Sequence, residues 1–350
     1  MTLRVGRSGT DAVPAPPRRG LAGRSDKEPI HGRDQKARAV ARRPKSHPLR
    51  ERRAGHRVAQ APPTGRSQGR HRSRAPNWRD PLGGLPAHVR RHGPVGLELF
   101  SGCGEFSRRF RAQAREHGLA IFEWDIRWSA THDLMRPSVR RQLLGWIGSG
   151  LIACVWLGTP CTSFSRAQQF WRGAFPLRTS SQPAGCPWVK DMPPHTQELV
   201  RTGNALAALS VAVFRQCCRL EVPVALENPG SSLLWQMPQM LALNRREDVT
   251  IVETDYCLFG VPWRKRTKFM YAYVDLSCIA RKCSSRKGVC DRTGHRHVQL
   301  QGAKDGKLLT KLAEPYPAKL CKLLASSFSA ALCSGVVRRL RKLANGCSEV

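Results

Sequence analysis

Six short apolar runs, between Val95 and Val274, alternate with longer stretches of helical periodicity, and few folds accept that order. Val95–Phe100, Ala120–Asp125, Leu151–Leu157, Val222–Leu226, Asp248–Thr254 and Lys268–Val274 have the length and composition of strands. Between them, Glu105–His117, Arg136–Ile147 and Val200–Leu220 carry the apolar spacing of helices, and a last helix is expected over Tyr316–Leu343. Strands alternating with helices at this spacing predict an α/β fold of the Rossmann-like kind, a mostly parallel sheet covered by helices on both faces. In open sheets of that kind ligands sit beyond the carboxyl ends of the strands, so the residues that follow each apolar run are the ones to inspect.

After Leu151–Leu157 comes Gly158-Thr159-Pro160-Cys161-Thr162-Ser163-Phe164-Ser165. A cysteine just past a buried strand is held rigidly from behind and open in front, as a nucleophile requires. A lone cysteine in such a place is more often a small packing residue, so its neighbours decide the matter. Val95–Phe100 is followed by Ser101-Gly102-Cys103-Gly104 and then a helix, a turn whose glycines let backbone approach a ligand closely. The next strand ends on Glu123-Trp124-Asp125; an acid there can hold ribose hydroxyls, and Trp124 beside it can stack on an adenine. A further strand ends on Glu227-Asn228-Pro229.

Taken together, in this order, these motifs resemble the cytosine-C5 methyltransferases across roughly residues 95 to 275. The resemblance implies an S-adenosylmethionine pocket from Phe100, Ser101, Gly102 and Gly104, with Glu123 on the ribose, Trp124 over the adenine, Asp133 at the adenine amino group, and Pro160 beside it. It implies Cys161 as the nucleophile and Glu227 as the group assisting at N3 of the base. Phe259-Gly260-Val261-Pro262 with Arg264 and Arg266 is similar to the family's Arg-x-Arg motif, with Arg266 near O2. The reaction implied is methyl transfer to C5 of cytosine in DNA through a covalent adduct of Cys161 with C6; the same chemistry on RNA, or an inactive homologue that binds nucleic acid, are the alternatives. A duplex substrate would have to present its base flipped out of the stack. The basic, aromatic segment Arg166–Arg172 is the candidate to close over it.

The motifs also depart from the family's pattern. Thr159 and Thr162 stand where the family has a proline and a glutamine, Glu105 where it has a glycine, and Pro229 where it has an aliphatic residue. The two arginines fit only if one residue is dropped; otherwise Lys265 and Thr267 take their places.

Charge and cysteine usage bound the rest. With 59 Lys and Arg against 25 Asp and Glu in 350 residues, the net charge is +34, which points to a polyanionic partner, DNA first and RNA as an alternative. Residues 1 to 90 carry 22 Lys and Arg against 6 Asp and Glu, with recurrent prolines, and the composition predicts a disordered basic arm over 1–92. The catalytic domain is expected over 93–274, a short target-recognition or Cys/His-rich subdomain over 275–310, and a helical segment over 311–350. In the subdomain, Cys278, Cys283, Cys290 and His297 can supply a Cys3His zinc site, with His295 beside them. No run approaches the ~18 apolar residues of a membrane span, and no secretory signal core is present at the N-terminus. The thirteen cysteines do not frame short loops, which fits reduced thiols in a soluble intracellular protein, nuclear if the cell is eukaryotic. Oligomeric state is not legible.

Overall fold

Five strands in the computed structural model run one way and a sixth runs against them. The structure describes residues 88–89, 93–113, 120–165, 175–304 and 306–346. These belong to a unit spanning His71–Val350. The expected arm over 1–92, apart from residues 88–89, and the candidate closing segment 166–172 lie outside the described residues.

The sheet comprises β1 (Val95–Leu99), β2 (Ile121–Trp124), β3 (Ile152–Leu157), β4 (Val224–Pro229), β5 (Thr250–Asp255) and β6 (Arg266–Ala272), in the order β2-β1-β3-β4-β6-β5. Strands β1 to β4 pair in parallel, and β6 lies antiparallel between β4 and β5. From β1 the chain winds outward to β2 on one side, then crosses back to β3 on the other. The strand order therefore reverses between β1 and β3, and a crevice opens at their carboxyl ends.

Helices cover both faces, as expected. The strands bury both faces, and apart from an irregularity between Ile152 and Cys154 of β3 their side chains divide by the two-residue pleat. Leu97, Leu99, Phe122, Val155, Leu157 and Leu226 join one core with Leu143 and Ile147 of α2 (Pro137–Gly148), Val213 and Phe214 of α3 (Pro194–Arg219), and Met240 of α4 (Pro238–Asn244). On the other face Ile121, Cys154, Trp156, Ala225 and Phe269 pack against Phe106 and Phe110 of α1 (Glu105–Gln113). Beyond a two-stranded hairpin, β7 (Ala303–Lys304) and β8 (Lys307–Leu308), and the short α5 (Leu309–Leu312), the chain ends in α6 (Ala318–Gly346). Leu320, Leu324 and Phe328 of α6 complete that second core, so α6 lies on the same face as α1. The expected strand and helix positions hold to within a few residues except at α3, which starts at Pro194, ahead of the expected Val200. Asn204 is thus an interior residue of α3. Among the described residues no helix is long and apolar enough to cross a membrane.

Candidate active site

Two loops flank the crevice. The first leaves β1 through Phe100, a non-glycine residue held at φ 59, with Gly102 and Gly104 at φ 56 and 66. Only residues tolerant of the left-handed region turn a chain this tightly, and Phe100 there is a strained position. Ser101 is buried, its carbonyl accepting from Gly104 N–H at 2.8 Å and its hydroxyl from Trp128 Nε1 at 3.2 Å. Gly104 has a second reason to lack a side chain: a Cβ there would stand 2.5 Å from Glu123 Oε2.

Glu123 is buried directly beneath this turn and is engaged by the guanidinium of Arg111. Trp124 corrects the sequence expectation. The pleat sends it to the opposite face, where it is fully buried, its ring against Trp146 at 5.6 Å and His132 at 5.9 Å, with Nε1 donating to His132 O at 3.1 Å. It presents no open ring to a ligand. What stands at the mouth is the next pair. Asp125, just past the end of β2, accepts Gly102 N–H at 2.8 Å, and Ile126 is 63% exposed. Sequence reasoning ran the strand one residue too far and so passed over both. Asp133 is half-buried, caps Met135 N–H at 2.8 Å, and follows His132, whose Nδ1 lies 3.1 Å from Asp125 O.

The second loop carries Cys161. It is pinned at several points. Gly158 N–H donates to Leu99 O at 3.0 Å, and a Cβ on Gly158 would meet Phe100 O and Tyr316 Oη, each at 3.0 Å. Thr159 is buried, its hydroxyl 2.9 Å from Ser210 Oγ on α3 and its carbonyl accepting from Asn228 Nδ2 at 2.6 Å. The threonine in place of a proline thus gives the loop a hydrogen bond that a proline could not make. Half-buried Pro160 follows, and then Cys161, whose carbonyl accepts from Phe164 and Ser165 N–H in a turn. Ser163 and Phe164 are buried under Arg178, which donates to Ser163 Oγ at 2.9 Å and lies 3.9 Å over the Phe164 ring. Arg178 itself is fully buried and holds Asn204 Oδ1 at 2.7 Å; burial brings its pKa down to about 10.

Because β3 and β4 are neighbours, Glu227 at the end of β4 comes to the same place as Cys161. Its carboxyl is buried among aromatic side chains, accepting from Tyr316 Oη at 3.1 Å and Tyr256 Oη at 3.5 Å. Burial raises its pKa above the ordinary carboxylate value, against the opposing pull of the Lys265 ammonium and the two tyrosine hydroxyls. The Cys161 thiol is likewise raised, first by burial and then by the nearby Glu227 carboxylate, while Lys265 lowers it. The thiol thus holds its proton more firmly than a free cysteine does.

Lys265 is the cation of this pocket. It lies 5.0 Å over the Tyr256 ring and donates to Ala313 O at 3.3 Å. Arg264 and Arg266 turn elsewhere: Arg266 makes a two-pronged pair with Asp255, at 3.0 and 2.8 Å, and Arg264 reaches the same carboxylate at 3.3 Å. Arg264 and Arg266, two residues apart where the chain enters β6, thus reach one carboxylate, while Lys265 between them reaches the Tyr256 ring.

A separate cluster stands at the end of β5. Cys257, Cys283, Cys290 and His297 are all buried, with their ligating atoms within 4.8 Å of one another. Cys278, expected among them, is exposed and its sulfur lies 3.6 Å from Ser327 Oγ; His295 is exposed too. Cys257 replaces Cys278. No local spacing announces it, because it lies 26 residues before Cys283 in the loop that follows β5.

No protein-family model matches this chain, and neither does any curated protein. Among solved structures, a methyltransferase of Entamoeba histolytica, EhMeth, matches at 10% sequence identity and a TM-score of 0.28, over 68% of this chain and 95% of that one. A likeness that slight decides nothing about chemistry, so function has to be argued from the strand ends themselves.

Proposed function

We propose that this chain is a methyltransferase that uses S-adenosylmethionine to methylate C5 of cytosine in a nucleic acid, DNA in the first instance. The observation that carries the proposal is the meeting of one thiol and one carboxyl, Cys161 and Glu227, at the ends of adjacent strands. Cytosine C5 is a poor nucleophile. Adding sulfur at C6 while N3 takes a proton turns the ring into an enamine whose C5 can attack. That addition needs a thiol and a proton donor on the same ring, and a carboxyl whose pKa burial raises is suited to the second role.

Cys161 would form the bond to C6. Glu227 would donate to N3 and leave with the charge that Lys265 is placed to offset. The Cys161 proton would pass to solvent water before the sulfur adds, while Glu227 still holds its own proton and Lys265 favours the thiolate. After transfer, loss of the C5 proton lets the sulfur depart and restores the aromatic ring.

S-adenosylmethionine supplies the electrophilic methyl group when bound. The crevice fits its adenosine end: Asp125, standing on the glycine turn, would hold the ribose hydroxyls, exposed Ile126 would cover the adenine, and Asp133 would face its amino group. Glu123 supports the turn from beneath, and Ser101 and Phe100 shape its floor. At the methionine end Glu105 lies in the first turn of α1, where it is bound by Arg108 and Arg109, which offsets its charge toward the ligand's carboxylate. The net charge of +34 favours a polyanion as the substrate.

The test is transfer of a labelled methyl group to DNA and to RNA, wild type beside Cys161→Ala. Label on cytosine C5 that disappears with the thiol supports the proposal, and the polymer that accepts it names the substrate. Binding of either polymer without transfer would leave an inactive homologue.

A further inference from the structure

We propose that Cys257, Cys283, Cys290 and His297 bind one zinc ion as a closed structural site that fastens the 281–298 segment to the loop after β5. The spacing of the ligating atoms, all within 4.8 Å of one another, is close to that of a four-coordinate zinc site. With Zn–S near 2.3 Å and Zn–N near 2.05 Å, a tetrahedral Cys3His site has S···S edges of about 3.8 Å and S···N edges of about 3.5 Å. Cys283 Sγ lies 3.9 Å from Cys290 Sγ and 3.8 Å from His297 Nε2. A disulfide would need those sulfurs about 2.05 Å apart.

The surroundings match a metal site. His297 turns Nε2 inward, and its Nδ1 lies 3.3 Å from Ser285 Oγ, the outer hydrogen bond that fixes the ring of a ligating histidine. Cys290 and His297 sit on two strands of a small hairpin: Val289 and Arg296 form an antiparallel bridge, Cys290 N–H donates to His295 O at 2.8 Å, and His297 N–H donates to Gly288 O at 2.9 Å. Cys283 is placed by its own N–H, which donates to Asp255 Oδ2 at 2.8 Å. Cys257 is the fourth corner and comes from the body of the fold. All four ligating residues are at most 9% exposed, so no corner is left open for water or substrate, which is the arrangement of a structural ion.

Apart from the ligands the segment has little to hold it. Ile279 alone of residues 278–300 joins the main core; the other buried side chains are Cys283, Cys290 and His297. Metal binding would therefore supply folding free energy that apolar burial does not. The ion's proposed role is independent of what the enzyme methylates.

The experiment measures metal in the full chain purified without chelators, by elemental analysis. About one zinc per chain, kept in Cys278→Ser and lost from Cys257→Ser and Cys283→Ser, is the expected result. Stoichiometric zinc in Cys257→Ser, or its loss from Cys278→Ser, would overturn this ligand set. Should the ligand variants fail to fold, wild type is alkylated before and after treatment with a zinc chelator and mapped by mass spectrometry. Cys257, Cys283 and Cys290 should become reactive together on metal removal, while Cys278 reacts throughout. Metal-free, folded wild-type protein with no change in that pattern would refute the site.

Discussion

Two places in this molecule gather cysteine with other reactive side chains, and they are assembled by different means. Cys161 and Glu227 meet because β3 and β4 are neighbours in a parallel sheet, so the loop after β3 and the last residues of β4 end at the same edge. Cys257, Cys283, Cys290 and His297 meet because loops fold back across the end of β5, and nothing regular dictates their spacing. The first kind of site is repeated by topology. The second has to be stitched, and a stitched site in a segment with little core of its own is best held by an ion.

Sharp tests of this contrast change one group and leave the frame in place. Glu227→Gln should cost the most, lowering methyl transfer by about 10²–10⁴-fold, the usual worth of a positioned proton donor. In the same variant the Cys161 thiol should ionise at lower pH, because one of the causes raising it is gone while burial remains. The pH dependence of iodoacetamide labelling at Cys161 reads this without substrate; an unchanged profile would mean that the two groups do not sense one another.

Glu98 probes the same face of the sheet one strand away from β3. Its carboxyl is buried, accepts from Ser107 N–H at 3.0 Å, and is pushed up to about 8 by burial. An unfolded chain would ionise Glu98 from about pH 4.5 upward, so its protonated burial favours the fold at low pH and that contribution fades as pH rises through 8. Glu98→Gln should therefore flatten the fall in Tm between pH 5 and pH 8, by up to a few kcal/mol, and a parallel fall in both proteins would contradict the assignment.

The clamp on the Cys161 loop gives a smaller effect. A Cβ at Gly203 would stand 2.4 Å from Ser163 Oγ and 2.9 Å from Arg178 Nη2, so Gly203→Ala should cost about 1–3 kcal/mol in thermal unfolding. Gly145 in α2 meets nothing within 4 Å, and Gly145→Ala should instead stabilise by about 0.5–1 kcal/mol. Equal effects from the two would remove the reason given for Gly203.

Strand periodicity and the residues after each strand were readable in the sequence, and with them the sheet and its helices. Trp124 faces Trp146 of α2 because the pleat of β2 alternates its side chains between the two faces, which the sequence alone did not assign. The choice between Lys265 and the two arginines stayed open in the sequence, because three consecutive basic residues read alike until the chain entering β6 gives them different partners.

The sequence by itself settled the alternation of strands and helices, the glycine turn, and the excess of positive charge, since these depend on local periodicity and composition. Tertiary structure alone decided the upward shifts of the Glu227 and Cys161 pKa values, the pairing of Arg264 and Arg266 with Asp255, and the entry of Cys257 into the cluster. Each of these depends on burial or on contact between segments far apart in the chain, and no local window of sequence contains that information.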